Sequence, residues 1–277
     1  MMLGSLISVA GLLALASALP APPGTPPPDT LSSSYPVPDP EAIMSVDPST
    51  FTSYKKGGLI RSGEQAANAS ITKRWTCSTS SIFTWGDSDN GGKGVTINNA
   101  DNDWRGFYIY HNSCDNLPWK YIWIAAGQTK FVSLPDMFQG RIVRGVDSSM
   151  LSGQPQNLAS WFEITIDSAG VMWGDVSLIR GCDGGILIWN PNDGNAWKGF
   201  TQWILDGAPN GAYDKKNDGQ WVLKYTENWD GSINTIPRDW EIQKVGSQYV
   251  YVDDYHGNPV ISSNNGRMAS YWPAGRA

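Results

Sequence analysis

The sequence predicts an all-β fold of the sandwich type, with loop-rich insertions and at most short helices. Short runs rich in β-branched and aromatic residues recur after residue 74, and turn signals such as Asp218-Gly219 and Asp230-Gly231 separate them. No long stretch places apolar residues at the helical period. Residues 161–185 contain a hairpin whose turn fixes the register of two strands. Short, regularly spaced strands of this kind are typical of a β-sandwich.

The expected elements lie between residues 106 and 252. In chain order we expect strands at residues 106–111, 121–125, 130–134, 141–146, 161–166, 171–179, 185–189, 221–225, 240–245 and 249–252. One short helix is expected at residues 199–205.

The hairpin supplies the first candidate site. Residues 168–170 fit a three-residue loop with Gly170 in the left-handed conformation, which places Glu163 directly opposite Asp175. One face of the hairpin is then apolar, and the other carries the two carboxylates beside Trp173. Like charges directly opposite each other weaken a sheet, so a functional reason for the pair is expected.

The N-terminal residues are predicted to be removed from a secreted protein. Residues 1–18 resemble a signal peptide, because an apolar run precedes the small residues Ala16-Ser17-Ala18. Residues 19–74 are rich in proline, contain no tryptophan or cysteine, and end in Lys73-Arg74, which predicts a disordered propeptide cleaved at that dibasic site. The alternative is a disordered linker in which the dibasic pair is accidental. The folded domain is expected at residues 75–277, in an extracellular or cell-wall-associated protein.

Composition excludes several classes of partner and cofactor. The net charge is −6 and no basic stripe exists, which argues against nucleic acid or anionic membranes as partners. Three cysteines predict one disulfide and one remaining thiol, with the pairing among Cys77, Cys114 and Cys182 left open. Because only two histidines and no Cys-x-x-Cys pair occur, we expect neither a metal site nor a cofactor.

Dispersed motifs over most of residues 105–273 resemble the thaumatin-like proteins. They are Asn112-x-Cys114, Trp119, Gly127-Gln128, Gly140-Arg141, the Glu163 strand, the Asp175-x-Ser177 strand and a Tyr-rich tail with Asp253-Asp254. The resemblance implies a β-sandwich with an acidic cleft that accepts β-glucan in some members, and a dibasic-processed precursor of this kind suggests a fungal protein. It assigns Glu163 and Asp175 to that cleft, with Asp183 as a further contributor.

The chain also departs from that family. The family is rich in disulfides, and Trp272 stands where the partner of Cys114 would be. Gln154 stands where the cleft arginine is expected, so Arg141 and Arg144 are the alternatives for that charge. A Trp-rich stretch, residues 186–240, replaces the disulfide-rich second domain of the family.

The hairpin carboxylates suggest one chemistry and two alternatives. Glycoside hydrolysis uses one protonated and one ionised carboxyl group, so Glu163 would be the acid, Asp175 the base and Trp173 the sugar platform of an endo-β-1,3-glucanase. Both carboxylates could instead be ion-paired to Arg141, Arg144 or Arg180, in a protein that binds β-glucan or another cell-wall polysaccharide without cleaving it. Whether the protein is an enzyme stays open.

A third possibility is a secreted effector or defence-related protein whose partner is another protein. Residues 186–240 would then form the interface. A cleft continuous with exposed tryptophans favours a sugar ligand, whereas a cleft capped by residues 186–240 favours a protein partner. Besides Trp173, the tryptophans in polar loops, Trp189, Trp197 and Trp229, are weaker candidates for a sugar platform.

Overall fold

A computed structural model describes residues 76–156 and 158–277. The predicted signal peptide, the propeptide and its cleavage site at Lys73 and Arg74 lie outside the described residues. Among the described residues, no helix is long and apolar enough to cross a membrane.

The described chain is all-β, with fourteen strands and two short helices. The elements are β1 (Ile82–Thr84), β2 (Gly94–Asn99), β3 (Arg105–His111), β4 (Lys120–Ile124), β5 (Thr129–Ser133), β6 (Gln139–Gly145), α1 (Asp147–Met150), β7 (Trp161–Ile166), β8 (Met172–Ser177), β9 (Ile186–Asn190), β10 (Asp193–Phe200), β11 (Tyr213–Lys215), β12 (Trp221–Leu223), α2 (Thr235–Lys244), β13 (Ile261–Ser263) and β14 (Arg267–Trp272).

Two mixed sheets form the sandwich. The larger has seven strands in the order β1-β4-β3-β6-β7-β8-β13, and the smaller has five in the order β10-β9-β14-β2-β5. One apolar cluster contains side chains from both sheets, such as Ile109 and Phe162 from the larger and Ile97 and Ile188 from the smaller. The strands β11 and β12 form a separate two-stranded ribbon.

The predicted hairpin is confirmed. Gly170 has a φ of +84°, and β7 and β8 pair with Glu163 opposite Asp175. The apolar face is buried in the core, with Phe162, Ile166 and Met172 fully covered. Turn geometry and alternation of apolar residues therefore determined this register correctly.

Two local predictions in residues 186–245 are wrong. Residues 240–244 belong to α2 rather than to a strand, and Val245 is the C-cap of that helix. The buried members of the helix are Pro237 and Glu241, one turn apart. A buried glutamate conceals the helical period, because it counts as polar. Residues 199–205 are not helical, because Gly199 continues β10 with a φ of +101°. A Cβ at Gly199 would lie 2.0 Å from the Ile186 carbonyl oxygen, so only glycine allows this pairing.

The predicted strand at residues 249–252 is also wrong. This segment makes only an isolated parallel bridge between Tyr251 and Ser177, beside β8.

Candidate functional site

The outward face of the larger sheet brings three predicted site residues into one row. Cross-strand pairing places Tyr110 beside Arg141, Arg141 beside Glu163, and Glu163 beside Asp175. The repulsion expected between the two carboxylates is therefore offset by an arginine in the neighbouring position.

The two carboxylates differ in their access to solvent. Asp175 is only 2% exposed, and Glu163 is half-buried. Trp173 is half-buried as well, and its indole N–H donates to the Asp167 carboxylate at 3.1 Å. The Asp175 carboxylate is therefore covered by neighbouring side chains, although it lies on the outward face of the sheet.

A cleft of about 840 Å³ lies next to this row. Its residues come from β6, from β7, from α1 and the segment after it, from the loops that contain Asp115 and Arg180, and from β11 and loops of the Trp-rich stretch. The lining comprises Asp115, Arg141, Ser148, Ser149, Ser152, Gln154, Pro155, Gln156, Leu158, Trp161, Arg180, Asp214, Lys215, Asn217, Asp218, Tyr225 and Trp229. Of the residues predicted to form the acidic site, Arg141 is among those that line it, whereas Glu163, Asp175, Trp173, Asp183 and Arg144 are not. Gln154, which stands where the resemblance expects an arginine, is also in the cleft.

Arg141 is held rigidly at the floor of the cleft. Its guanidinium lies between two aromatic rings, 4.8 Å from the ring centre of Tyr110 and 4.3 Å from that of Trp161. It also donates to the Asp115 carboxylate and to the Gln156 side-chain oxygen. Burial lowers the pKa of Arg141, whereas the negative charges of Asp115 and Glu163 favour its protonated form. Glu163 therefore acts as a counter-charge to the arginine of the cleft.

Two hydrogen-bond donors among the cleft residues are unused. The buried side-chain nitrogen of Gln156 and the buried indole nitrogen of Trp161 have no hydrogen-bond partner among the described residues. Buried donors of this kind are costly unless a water or a ligand accepts their hydrogen bonds.

Trp229 forms the exposed aromatic part of the cleft. Its side chain is 81% exposed, and the Arg180 guanidinium lies 3.8 Å from its ring centre. Arg180 is itself fixed by a 2.8 Å hydrogen bond to the Glu227 carbonyl oxygen. Trp189 and Trp197, by contrast, are buried in β9 and β10. Of the three loop candidates named from the sequence, only Trp229 is placed at the cleft.

The lining is balanced in charge rather than acidic. The lining contains three carboxylates, Asp115, Asp214 and Asp218. It also contains three cationic side chains, Arg141, Arg180 and Lys215. This differs from the acidic cleft that the family resemblance implies.

Arg144 and Asp183 lie elsewhere. Both are fully buried, and with Lys216 they form an internal ion cluster in which Asp183 lies 3.4 Å from Arg144 and 3.3 Å from Lys216. Neither side chain is among the residues that line the cleft.

The cysteine pairing that the sequence left open is between Cys77 and Cys114. Cys114 directly precedes Asp115, so the disulfide anchors the segment that holds Arg141. Cys182 is a free, buried cysteine. Among the described residues, no group of histidine, cysteine and acidic side chains could hold a metal ion.

The cleft residues that sequence reasoning missed include Trp161, Tyr225 and four residues of β11 and the turn after it, which are Asp214, Lys215, Asn217 and Asp218. Trp161 shares the outward face of the hairpin with Glu163, so strand alternation was a usable signal for it. The others come from segments that tertiary folding brings to the cleft.

Comparison with known proteins assigns no family. No family model and no curated protein matches the chain. Among solved structures, the chain is similar to the protein elicitor MoHrip2 from Magnaporthe oryzae, with 8% identity over 66% of this chain and 100% of that chain, and a TM-score of 0.31.

Proposed function

We propose that this protein is a secreted carbohydrate-binding protein that recognises cell-wall β-glucan in the cleft beside β6 and β7. The observation that carries the proposal is the composition of the cleft, in which Trp161, Tyr225 and Trp229 occur together with amides, carboxylates and fixed guanidinium groups. The thaumatin-like resemblance points to the same class of ligand.

The chemistry of a sugar matches this lining. A pyranose ring has an apolar C–H face that packs on an aromatic ring, and its hydroxyl groups both donate and accept hydrogen bonds. Trp229 offers the aromatic surface, and the exposed amides of Gln154 and Asn217 suit hydroxyl groups. The volume of about 840 Å³ lies within the range of about 300–1,000 Å³ typical of small-molecule sites, so a few sugar rings fit.

The position of the carboxylates favours binding without hydrolysis. Cleavage of a glycosidic bond needs two carboxyl groups that flank the bond. Glu163 and Asp175 are not among the residues that line the cleft, and Asp175 is 2% exposed. Asp175 is therefore poorly placed to activate a water molecule beside a sugar in the cleft.

The arrangement of the Trp-rich stretch also favours a sugar over a protein partner. Part of the wall of this open cleft comes from the Trp-rich stretch, and Trp229 is exposed along it. The residues concerned are Asp214, Lys215, Asn217, Asp218, Tyr225 and Trp229. This is the geometry expected for a sugar platform, whereas a protein-binding role predicts that residues 186–240 cap the cleft.

The disulfide is compatible with an extracellular protein, because such bonds persist in oxidising compartments. We propose secretion and processing after Arg74. Expression of the whole precursor in a secreting fungal host, followed by N-terminal sequencing, is expected to give Trp75 as the first residue.

Binding and cleavage can be measured on the protein purified from the medium. We expect the wild type to pellet with insoluble β-1,3-glucan without releasing reducing ends. Trp229→Ala is expected to reduce pelleting, and Tyr255→Ala is a matched control, since Tyr255 is 75% exposed but outside the cleft.

Two results would contradict the proposal. Release of reducing ends that is lost in Glu163→Gln would identify a hydrolase. Absence of pelleting would remove β-glucan as the ligand.

A further inference from the structure

We propose a second polysaccharide-contacting surface outside the cleft, formed by Trp203, Trp221 and Arg276 and called here the Trp203–Trp221 surface. This inference depends on the proposed carbohydrate function and extends it, because it implies a ligand longer than the cleft. The surface would take the part of a glucan chain that continues past the sugars held in the cleft.

Both tryptophans are exposed yet fixed in place. Trp203 is 49% exposed and Trp221 is 53% exposed. The Trp203 indole N–H donates to Asp206 at 2.6 Å, and Arg276 donates to the other oxygen of that carboxylate at 2.6 Å. Arg276 also donates to the Trp221 carbonyl oxygen at 2.7 Å, and its guanidinium lies 5.5 Å from the ring centre of Trp203. One arginine therefore links the two aromatic residues.

Arg276 is itself anchored to the interior. Its backbone N–H donates to the Asp183 carbonyl oxygen at 2.8 Å, and its carbonyl oxygen accepts from the buried Lys216 ammonium at 2.9 Å. The Trp203–Trp221 surface is therefore attached through the Arg276 backbone to Asp183 and Lys216 of the internal ion cluster. Preorganised aromatic groups lose little conformational freedom on binding, which favours a binding role.

Lys215 connects this surface to the cleft. It lines the cleft, and it pairs with Trp221 across the β11–β12 ribbon. Its ammonium lies 5.0 Å from the ring centre of Trp221. A chain that leaves the cleft past Lys215 therefore meets Trp221 first, and then the Arg276 and Trp203 side chains.

The character of the surface fits a glucan chain better than a protein core. Each aromatic ring has a cationic side chain near it, Arg276 for Trp203 and Lys215 for Trp221. Asp206 adds a carboxylate that binds both Trp203 and Arg276. This mixture of separated rings and polar edges repeats the character of the cleft, with which it is continuous.

Ligand length is the variable that tests this surface. Titration calorimetry would compare a β-1,3-linked tetrasaccharide with a soluble β-1,3-glucan polymer. The proteins would be wild type, the double variant Trp203→Ala/Trp221→Ala, Trp229→Ala and the control Tyr255→Ala.

We expect the double variant to bind the tetrasaccharide as wild type does and the polymer about tenfold more weakly, roughly the effect of losing one or two aromatic contacts. Trp229→Ala should weaken both ligands. The double variant Trp203→Phe/Trp221→Phe, which keeps an aromatic ring at both positions, should recover most of the polymer affinity. Such a recovery would show that the alanine variant lost affinity because it lost the rings and not because it failed to fold.

Equal weakening of both ligands, or unchanged polymer binding in the double alanine variant, would overturn the second surface while leaving the cleft intact. Failure of the wild type to bind either ligand would overturn the carbohydrate function and this surface with it.

Discussion

Asp183 is expected to stabilise the fold and not to contact the ligand. Its carboxylate accepts a backbone N–H from Ser160 at 3.1 Å and faces the cations of Arg144 and Lys216. All three charged side chains are at most 1% exposed. Asp183→Asn keeps the shape of the side chain but leaves two buried cations without a counter-charge.

The magnitude follows from that burial. Removing one partner of a buried ion pair costs about 3–5 kcal/mol, because the remaining charge is neither solvated nor neutralised. For a domain of this size each kcal/mol lowers Tm by about 2–4 °C, so the variant should melt about 6–20 °C below wild type. Asp218→Asn is the matched control, since Asp218 is exposed and its loss should change stability by no more than about 0.5 kcal/mol.

The assay is a double-mutant cycle of wild type, Asp183→Asn, Lys216→Met and the double variant. The stability of each protein is measured by urea unfolding and by thermal melting. Because Lys216→Met removes one of the two uncompensated cations, the double variant should be more stable than the sum of the single effects predicts. A Tm for Asp183→Asn within 2 °C of the control, together with lost glucan affinity, would refute this reasoning and return Asp183 to the binding site.

Three other predictions follow from buried groups and the disulfide. Burial raises the pKa of Glu241 well above its usual value near 4.5, so above that pH the unfolded chain loses a proton that the folded protein keeps. Stability should therefore fall as the pH rises above about 4.5, by up to about 1.4 kcal/mol per pH unit, and urea melts of Glu241→Gln should show a flatter pH dependence; parallel curves would contradict this. Burial also raises the pKa of the Cys182 thiol, so iodoacetamide should modify it, by intact mass, only after unfolding. Replacing Cys77 and Cys114 by serine opens a loop of 37 residues and should lower the free energy of unfolding in urea by about 4 kcal/mol. An unchanged urea midpoint would contradict the presence of this disulfide in the folded protein.

The hairpin illustrates which parts of the fold are readable from sequence. A glycine at a left-handed turn position and strict alternation of apolar residues are local signals, and together they define one register. The same local rules placed Glu163 opposite Asp175 before any tertiary information was used.

Other elements depend on distant partners. The strands β2 and β14 are adjacent in the smaller sheet, although residues 94–99 and 267–272 are far apart in sequence. Their parallel pairing buries positions such as Asn99 and Ser270, whose polarity gives no strand signal. The helix α2 was missed for a related reason, because its core-facing Glu241 counts as polar although it is fully buried.

The site separates these two kinds of information most clearly. Sequence alone predicted that the chain is all-β and that one cysteine would remain unpaired, because alternation, turn chemistry and composition are local properties. Trp229 was a candidate for ligand contact from its polar loop, and Arg141 was a candidate through the family resemblance. Tertiary structure alone decided that Asp183 and Arg144 are internal, that Cys77 pairs with Cys114, and that the cleft lies beside the carboxylate row. These outcomes depend on which distant segments meet, and burial of a charge or an aromatic ring is set by that packing rather than by its neighbours in the chain.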